Sequence, residues 1–310
     1  IYPKVLFCLF SLSGRALQHF FHTQRNWGVW VAAFFIPVTL LMMVYGFTIG
    51  FRQLEVKRID LTFTDLPPAF DGYRIVHFSD AHVGTFTGSL RKLLARDIDS
   101  INAQKPDLIA FTGDLQNIQS SEIRSVVPLL SQLKATDGVF SVLGNHDYAE
   151  YVKLPLKQEL HHIRETQALE RSCGWNLLLN SNLTIRRGKD SLVIVGEQNL
   201  ERPDSARFTK AMQGVGAHAF AIILQHNPKA WEKYIVNDSR ARLTLCGHTH
   251  GGQLSLFGLR PTQIEYRQDY GLYQKGKQYL FISSGLGGLI PFRLGVSPEI
   301  AVITLHKTKP

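Results

Sequence analysis

The sequence predicts a mixed α/β fold of two packed sheets behind an N-terminal apolar helix. Three observations predict it. Residues 27–51 contain no charged side chain. Through the first half of the chain beyond residue 51, short runs rich in Val, Ile, Leu and Phe alternate with segments of helical period. Through the second half, strand-like runs outnumber helical ones, which fits two sheets packed face to face with helices outside.

The N-terminal run comes first in chain order. About 20 apolar residues suffice to span a bilayer. Trp27 and Trp30 stand at one end and Tyr45 near the other, where amphipathic rings favour the membrane–water interface. Arg25 and Arg52 bracket the run, and Pro37 inside it is expected to kink the helix. The competing readings are a buried core helix, which is rarely so long and uniformly apolar, and a signal peptide, for which no small-residue cleavage pattern is present. Residues 5–12 are apolar but too short to span, and read as the end of an earlier spanning helix if the chain, which begins at Ile1, is a processed form or a fragment. The expected division is a membrane anchor over 1–52 and a soluble α/β domain over 53–310.

Residues 89–104 place Leu90, Leu93, Leu94, Ile98 and Ile101 on one helical face, so a helix joins the strands at 74–79 and 108–112 in a βαβ start. Residues 122–133 repeat the pattern, with Pro128 awkward in the interior, and 156–171 form a third helix. Strands are expected at 139–143, 183–186, 192–196, 219–224, 242–246, 279–283 and 300–305.

Composition narrows the function. The formal net charge of +9 suits an anionic membrane surface or a phosphorylated substrate. No basic stripe interleaved with aromatics appears, so nucleic acid is not expected as a partner. Cys8, Cys173 and Cys246 show no paired spacing, and free thiols favour the cytoplasmic face. Lysines and arginines are balanced on the two sides of the apolar run and give no orientation. The oligomeric state is not legible.

Five polar clusters stand directly after five of the strand-like runs: Asp80-Ala81-His82, Gly113-Asp114, Gly144-Asn145-His146-Asp147, Gln225-His226-Asn227-Pro228 and Gly247-His248-Thr249-His250-Gly251-Gly252-Gln253. Open α/β sheets place their sites at the carboxyl ends of strands. Asp80 and His82, two apart on an extended segment, would share a side and one cation. Carboxylate and imidazole suit Zn, Mn, Fe or Ni. The two oxygens of Asp114 suit a bridge between cations. The Asn145 oxygen is a further ligand, His146 a proton donor to a leaving oxygen, and Asp147 a carboxylate that would fix the His146 tautomer. A lone His beside a strand, as at 226, is more often structural than ligating; the other clusters raise its standing. His248 and His250 sit on a glycine-rich turn from which they can reach different cations.

In this order the clusters resemble the calcineurin-like metallophosphoesterase superfamily, from about Asp71 to the end of the chain. Residues 247–253, Ser-Ser-Gly-Leu-Gly at 283–287, Pro291-Phe292-Arg293 and Pro298-Glu299-Ile300 are similar to a bacterial membrane-anchored branch that includes enzymes like UDP-2,3-diacylglucosamine pyrophosphohydrolase. The resemblance implies a four-layer α/β/β/α sandwich and two divalent cations. One would be held by Asp80, His82, Asp114 and His250, the other by Asp114, Asn145, His226 and His248. His146 would be the general acid and Arg293 a phosphate contact. Asn117 stands where the family often has an acidic residue, behind the ligands and leaving them intact. No Arg adjoins Asp114 or Asn145, which disfavours a phosphoprotein substrate. The implied activity is hydrolysis of a phosphodiester or diphosphate of a lipid-linked substrate. The alternatives are a soluble nucleotide or phosphodiester as substrate, and a non-catalytic metal-binding membrane scaffold.

Overall fold

The computed structural model describes residues 2–149, 151–200 and 207–308. It opens with two helices, α1 (Tyr2–Phe21) and α2 (Trp27–Thr48). The Asn26 side chain ties the turn between them, accepting from the Gly28 N–H and donating to the Ser11 carbonyl. Residues 5–12 thus lie inside α1, which packs along α2, the Phe10 and Phe35 rings stacking at 5.7 Å. The 22 residues of α2 span about 33 Å at 1.5 Å per residue, the thickness of a hydrocarbon core. The helix continues through Pro37, and the Thr39 hydroxyl donates to the Phe35 carbonyl within the same stretch. Only Gly28, Ala32 and Gly46 of α2 are buried, while Trp27, Trp30, Phe34 and Leu41 point outward. A core helix would show the reverse, so that reading is excluded. Among the described residues, Trp27–Arg52 is the one helix long and apolar enough to cross a membrane.

Beyond α2 the described residues form twelve strands: β1 (Glu55–Phe63), β2 (Tyr73–Phe78), β3 (Leu108–Phe111), β4 (Val139–Ser141), β5 (Asn176–Leu177), β6 (Ser181–Arg187), β7 (Asp190–Gly196), β8 (Ala221–Leu224), β9 (Ala241–Cys246), β10 (Gly271–Lys275), β11 (Gln278–Ile282) and β12 (Glu299–Lys307). They form two six-stranded sheets, in the orders β1-β12-β2-β3-β4-β5 and β10-β11-β9-β8-β7-β6. Strands β2, β3 and β4 are parallel in one sheet, and β7, β8 and β9 in the other.

The period-2 pattern explains the layering. Ile75, Ala110, Phe140, Ile303 and Leu305 face Ile194, Ile222, Leu224, Leu245 and Phe281 across the gap between sheets. The alternate residues Val76, Phe78, Ile109, Phe111 and Val302 turn outward, onto Leu94, Ile98 and Ile101 of α3 (Arg91–Ala103). On the other sheet Val195, Ile223 and Ile282 meet Met212, Trp231 and Ile235. The result is the expected α/β/β/α order. Each fully buried Leu, Ile or Phe contributes about 1.5–3 kcal/mol, so the interface between sheets rigidly fixes the strand ends.

Residues 122–133 correct the reading of one helix. They hold two separate turns, α4 (Ser121–Arg124) and α5 (Val127–Leu130). Pro128 stands in the first turn of α5, where its missing N–H costs nothing; inside one long helix it would have removed a bond. Helix α6 (Leu156–Ser172) is as expected. Strands β1, β5 and β10 had no counterpart in the sequence pattern.

Candidate metal centre

All five clusters lie where β2, β3, β4, β8 and β9 end, and because the sheets are stacked their loops meet. The first loop differs from expectation. Asp80 and His82 are not extended: both adopt left-handed backbone, φ 49 and 44. Their N–H groups donate to the carbonyls of Gly113 and Asp114, at 2.9 and 3.0 Å, which ties the β2 loop to the β3 loop. Asp114, His248 and His250 also have positive φ. Left-handed non-glycine residues cost about 1–3 kcal/mol each and cluster at functional sites. The glycines beside the ligands are required by space. A Cβ on Gly144 would lie 2.2 Å from Asp114 Oδ1, and one on Gly247 2.2 Å from Asp80 Oδ2.

The candidate ligand atoms converge in two groups about one oxygen. In the first, His250 Nε2 is 3.4 Å from Asp80 Oδ1 and 3.3 Å from His82 Nε2. His82 Nε2 is 3.7 Å from Asp114 Oδ2. In the second, His226 Nε2 is 3.3 Å from the same Asp114 Oδ2 and 3.0 Å from Asn145 Oδ1. His248 Nδ1 lies 2.9 Å from Asn145 Oδ1 and 3.2 Å from His226 Nε2. Donors about 2.0–2.2 Å from one cation stand roughly 3–3.6 Å apart, so these separations fit ligands around a cation. Asp114 Oδ1 is occupied by the His146 N–H at 2.9 Å, which leaves Oδ2 to face both groups.

Electrostatics fit the same chemistry. Burial pushes His82 down to about 3 and holds His250 well below the usual histidine range, so both offer neutral lone pairs. Burial raises Asp80 against the opposing charge of His226. Burial also works against ionisation of Asp114, but the His226 charge and hydrogen bond outweigh it and hold Asp114 low. His226, for which burial disfavours charge, is carried up to about 10 by Asp114 and Asp80. Two buried carboxylates thus call for compensating positive charge at one spot.

His146 stands at the edge of the two groups, Nε2 4.0 Å from Asp114 Oδ2. Its Nδ1 donates to the Asn117 carbonyl at 2.5 Å and its ring stacks on Tyr151, centroids 4.2 Å apart. This corrects the expectation for Asp147. That carboxylate does not orient the imidazole; it accepts the N–H groups of Asp114, Leu115, Gln116 and Gly144 and so clamps the β3 and β4 loops together. Three of those N–H groups come from the β3 loop and one from Gly144 of its own turn, and together they occupy the carboxylate that the His146 ring would otherwise have used.

Arg293 is also corrected. It is 1% exposed, so a substrate phosphate has no access to it. Its guanidinium donates to the carbonyls of His250, Gly285 and Gly287. It braces the loop that carries His250. Sequence reasoning missed Tyr266, whose hydroxyl is 2.7 Å from His248 Nε2, and Tyr151, whose hydroxyl accepts from the Asn145 amide at 2.9 Å. Both sit in irregular segments with no periodic signal.

Two stacked sheets that bring carboxylates, an amide and imidazoles around one shared oxygen define a metal-dependent hydrolase. Residues 73–252 match the calcineurin-like phosphoesterase family, and the chain belongs to it. It is 32% identical over 278 residues to the uncharacterized metallophosphoesterase YkuE of Bacillus subtilis, covering 85% of this chain and 90% of that protein. It is 30% identical over 240 residues to the phosphodiesterase YaeI of Escherichia coli, covering 75% and 82%. It is 29% identical over 282 residues to a transmembrane protein with metallophosphoesterase domain from Danio rerio, covering 87% of this chain and 61% of that one.

Proposed function

We propose that the protein is a membrane-anchored hydrolase of a phosphodiester or diphosphate in a lipid-linked substrate, with a dinuclear centre. Asp80, His82, Asp114 and His250 would hold one divalent cation; Asp114, Asn145, His226 and His248 would hold the other, Mn, Fe, Zn and Ni all suiting these donors. The observation that carries this reading is the single Asp114 Oδ2 facing His82 Nε2 and His226 Nε2 at 3.7 and 3.3 Å. Bound there, the cations would neutralise phosphoryl charge and make a water molecule nucleophilic near neutral pH.

The chain's own residues do the rest. Asn117 takes the Nδ1 proton of His146 in a hydrogen bond, so the other nitrogen, Nε2, faces the centre. From there a protonated His146 hands its proton to the departing oxygen. Tyr151 covers one face of the ring and keeps it in that plane. The lipid part of the reading is supported by α2, whose outward-facing Trp, Phe and Leu side chains suit a bilayer and would hold the centre at its surface.

The test is hydrolysis of bis-p-nitrophenyl phosphate by the full chain in detergent, stripped of metal and then given Mn²⁺. Activity should return with the cation and fall by on the order of 10²–10³ or more in Asp114→Asn, with metal content lost. Unchanged turnover in Asp114→Asn would overturn the dinuclear reading. His146→Ala should keep its metal and lose about 10²–10⁴ with an alkyl leaving group, far less with nitrophenolate. Hydrolysis of soluble nucleotide diphosphates in preference to lipid diphosphates in mixed micelles would remove the lipid part alone.

A further inference from the structure

The large exposed apolar side chains of the catalytic domain are unevenly placed. Leu256, Phe257, Leu259 and Ile264 fall on one loop, and Leu289 and Ile290 on a second. Phe257, Leu259 and Ile264 are 103%, 72% and 93% exposed. The first loop ends in a tight hairpin: Leu256 and Leu259 pair, and Phe257 and Gly258 between them both have positive φ, 54 and 83. Such a turn favours Asn-Gly; an aromatic in left-handed backbone is uncommon and strained. Here the turn holds a phenyl ring wholly in solvent. Beneath it Leu254, Leu256, Leu259, Pro261 and Ile264 line a groove of about 570 Å³.

The two loops form one surface, and that surface continues into α2. Leu254 pairs with Leu294, and the Ser255 N–H donates to the Leu294 carbonyl at 2.7 Å. The Gln253 amide donates to the carbonyls of Ile290 and Phe292. The Phe292 ring packs edge-on against Phe47 of α2, centroids 5.1 Å apart, and the Arg293 N–H donates to the Gly46 carbonyl at 3.1 Å. The patch is therefore attached to the carboxyl end of the helix that is apolar enough to span a membrane.

We propose that this patch is a second bilayer contact: the hairpin tip at Phe257, with Leu259, Ile264, Leu289 and Ile290, enters the leaflet in which α2 ends, and its groove is filled by lipid acyl chains. The inference rests on the reading of α2 as the anchor. A contiguous apolar patch with an aromatic at its tip marks an interaction surface, and aromatic rings are enriched at the membrane interface. Continuity with α2 favours lipid as the occupant, because the anchor already holds this face against the bilayer. The consequence for the enzyme is orientation. The patch loop begins directly after His250–Gly252 and leads to Tyr266, the partner of His248, so seating it would fix the metal centre at the headgroup level.

The test places an environment-sensitive fluorophore on the full chain by Phe257→Cys, Ile264→Cys or, in α2, Leu41→Cys, each combined with Cys8→Ser because Cys173 and Cys246 are buried. The chains are reconstituted into phosphatidylcholine vesicles with and without phosphatidylcholine spin-labelled on the acyl chain. The expected result is loss of fluorescence by lipid quenching at all three positions, shallow at Phe257 and Ile264 and deep at Leu41. Quenching at Leu41 alone overturns the second contact and leaves the anchor standing. Quenching at none removes the anchor reading and this inference with it. A probe at Phe257 that is shielded from aqueous iodide yet not quenched by lipid puts a protein, such as a second copy of the chain, on the patch and equally overturns it.

Discussion

The two halves of the candidate centre are built on different principles. Around Asp114, the half with Asp80, His82 and His250 has a carboxylate of its own, but the Nδ1 atoms of His82 and His250 are buried without a hydrogen-bond partner. The half with Asn145, His226 and His248 has only a neutral amide beyond Asp114, yet each imidazole is held from behind. His226 Nδ1 meets the Thr112 carbonyl at 2.6 Å, and His248 Nε2 meets the Tyr266 hydroxyl at 2.7 Å. A partner on the far nitrogen fixes tautomer and ring orientation and raises ligand basicity. The first half relies on charge and the second on orientation.

Removing the charge from the first half gives the largest effect. Asp80→Asn keeps an oxygen for the His248 N–H, which now donates to Asp80 at 3.0 Å, but takes away the one unshared carboxylate. Metal analysis should show one cation lost per chain, and turnover should fall by on the order of 10²–10³, as for other lost electrostatic stabilisers. Loss of both cations would mean that the halves do not load separately, and the contrast between them would fail.

Removing orientation from the second half costs less. Tyr266→Phe leaves every ligand in place and deletes only the hydroxyl behind His248. Chelator competition should show affinity for one cation weakened about 10–100-fold, the range for such supporting partners. The other cation should be unaffected. Equal weakening at both would place Tyr266 in the general stability of the loop instead of in the second half.

The candidate ligand set was legible because chemistry and position coincide in sequence: a buried strand ends and a carboxylate or imidazole stands within a few residues of it. The supporting atoms were not. Asn117 acts through its main-chain carbonyl, which leaves no trace in residue type. Tyr266 reaches His248 across 18 residues of irregular chain. Asp147 and Arg293 carry side chains that chemistry could use, but main-chain groups claimed them. Strand β1 escaped because it pairs at an edge through β12, and its half-buried Lys57, on the same side as Ile59, Leu61 and Phe63, breaks the apolar alternation. Local pattern therefore gave nine of the twelve described strands and the candidate ligands beside them, while contacts set by tertiary packing stayed hidden.

The smallest expected effect separates orientation from stability within the second half. Glu197 is fully buried beside Gln225, the residue before His226; it accepts from the Gln225 amide at 2.8 Å and from the Tyr234 hydroxyl at 2.9 Å. Burial raises its carboxyl from 4.5 to about 7 despite those two hydrogen bonds. The folded state therefore holds this proton more tightly than the unfolded chain does. Its contribution to stability is fully present below pH 4.5 and is lost as pH rises through about 7. The slope is at most about 1.4 kcal/mol per pH unit, for one proton. Thermal unfolding of the full chain should thus show a midpoint that falls between pH 5 and 8, as far as this group governs it, and Glu197→Gln should flatten that fall. Gln cannot ionise and keeps an acceptor for Tyr234. Cation affinity should not change, because Gln225 and not Glu197 adjoins His226. A variant that flattens the pH profile and also weakens the cation would show the second half to be held by this buried charge, and would erase the distinction between a half built on charge and a half built on orientation.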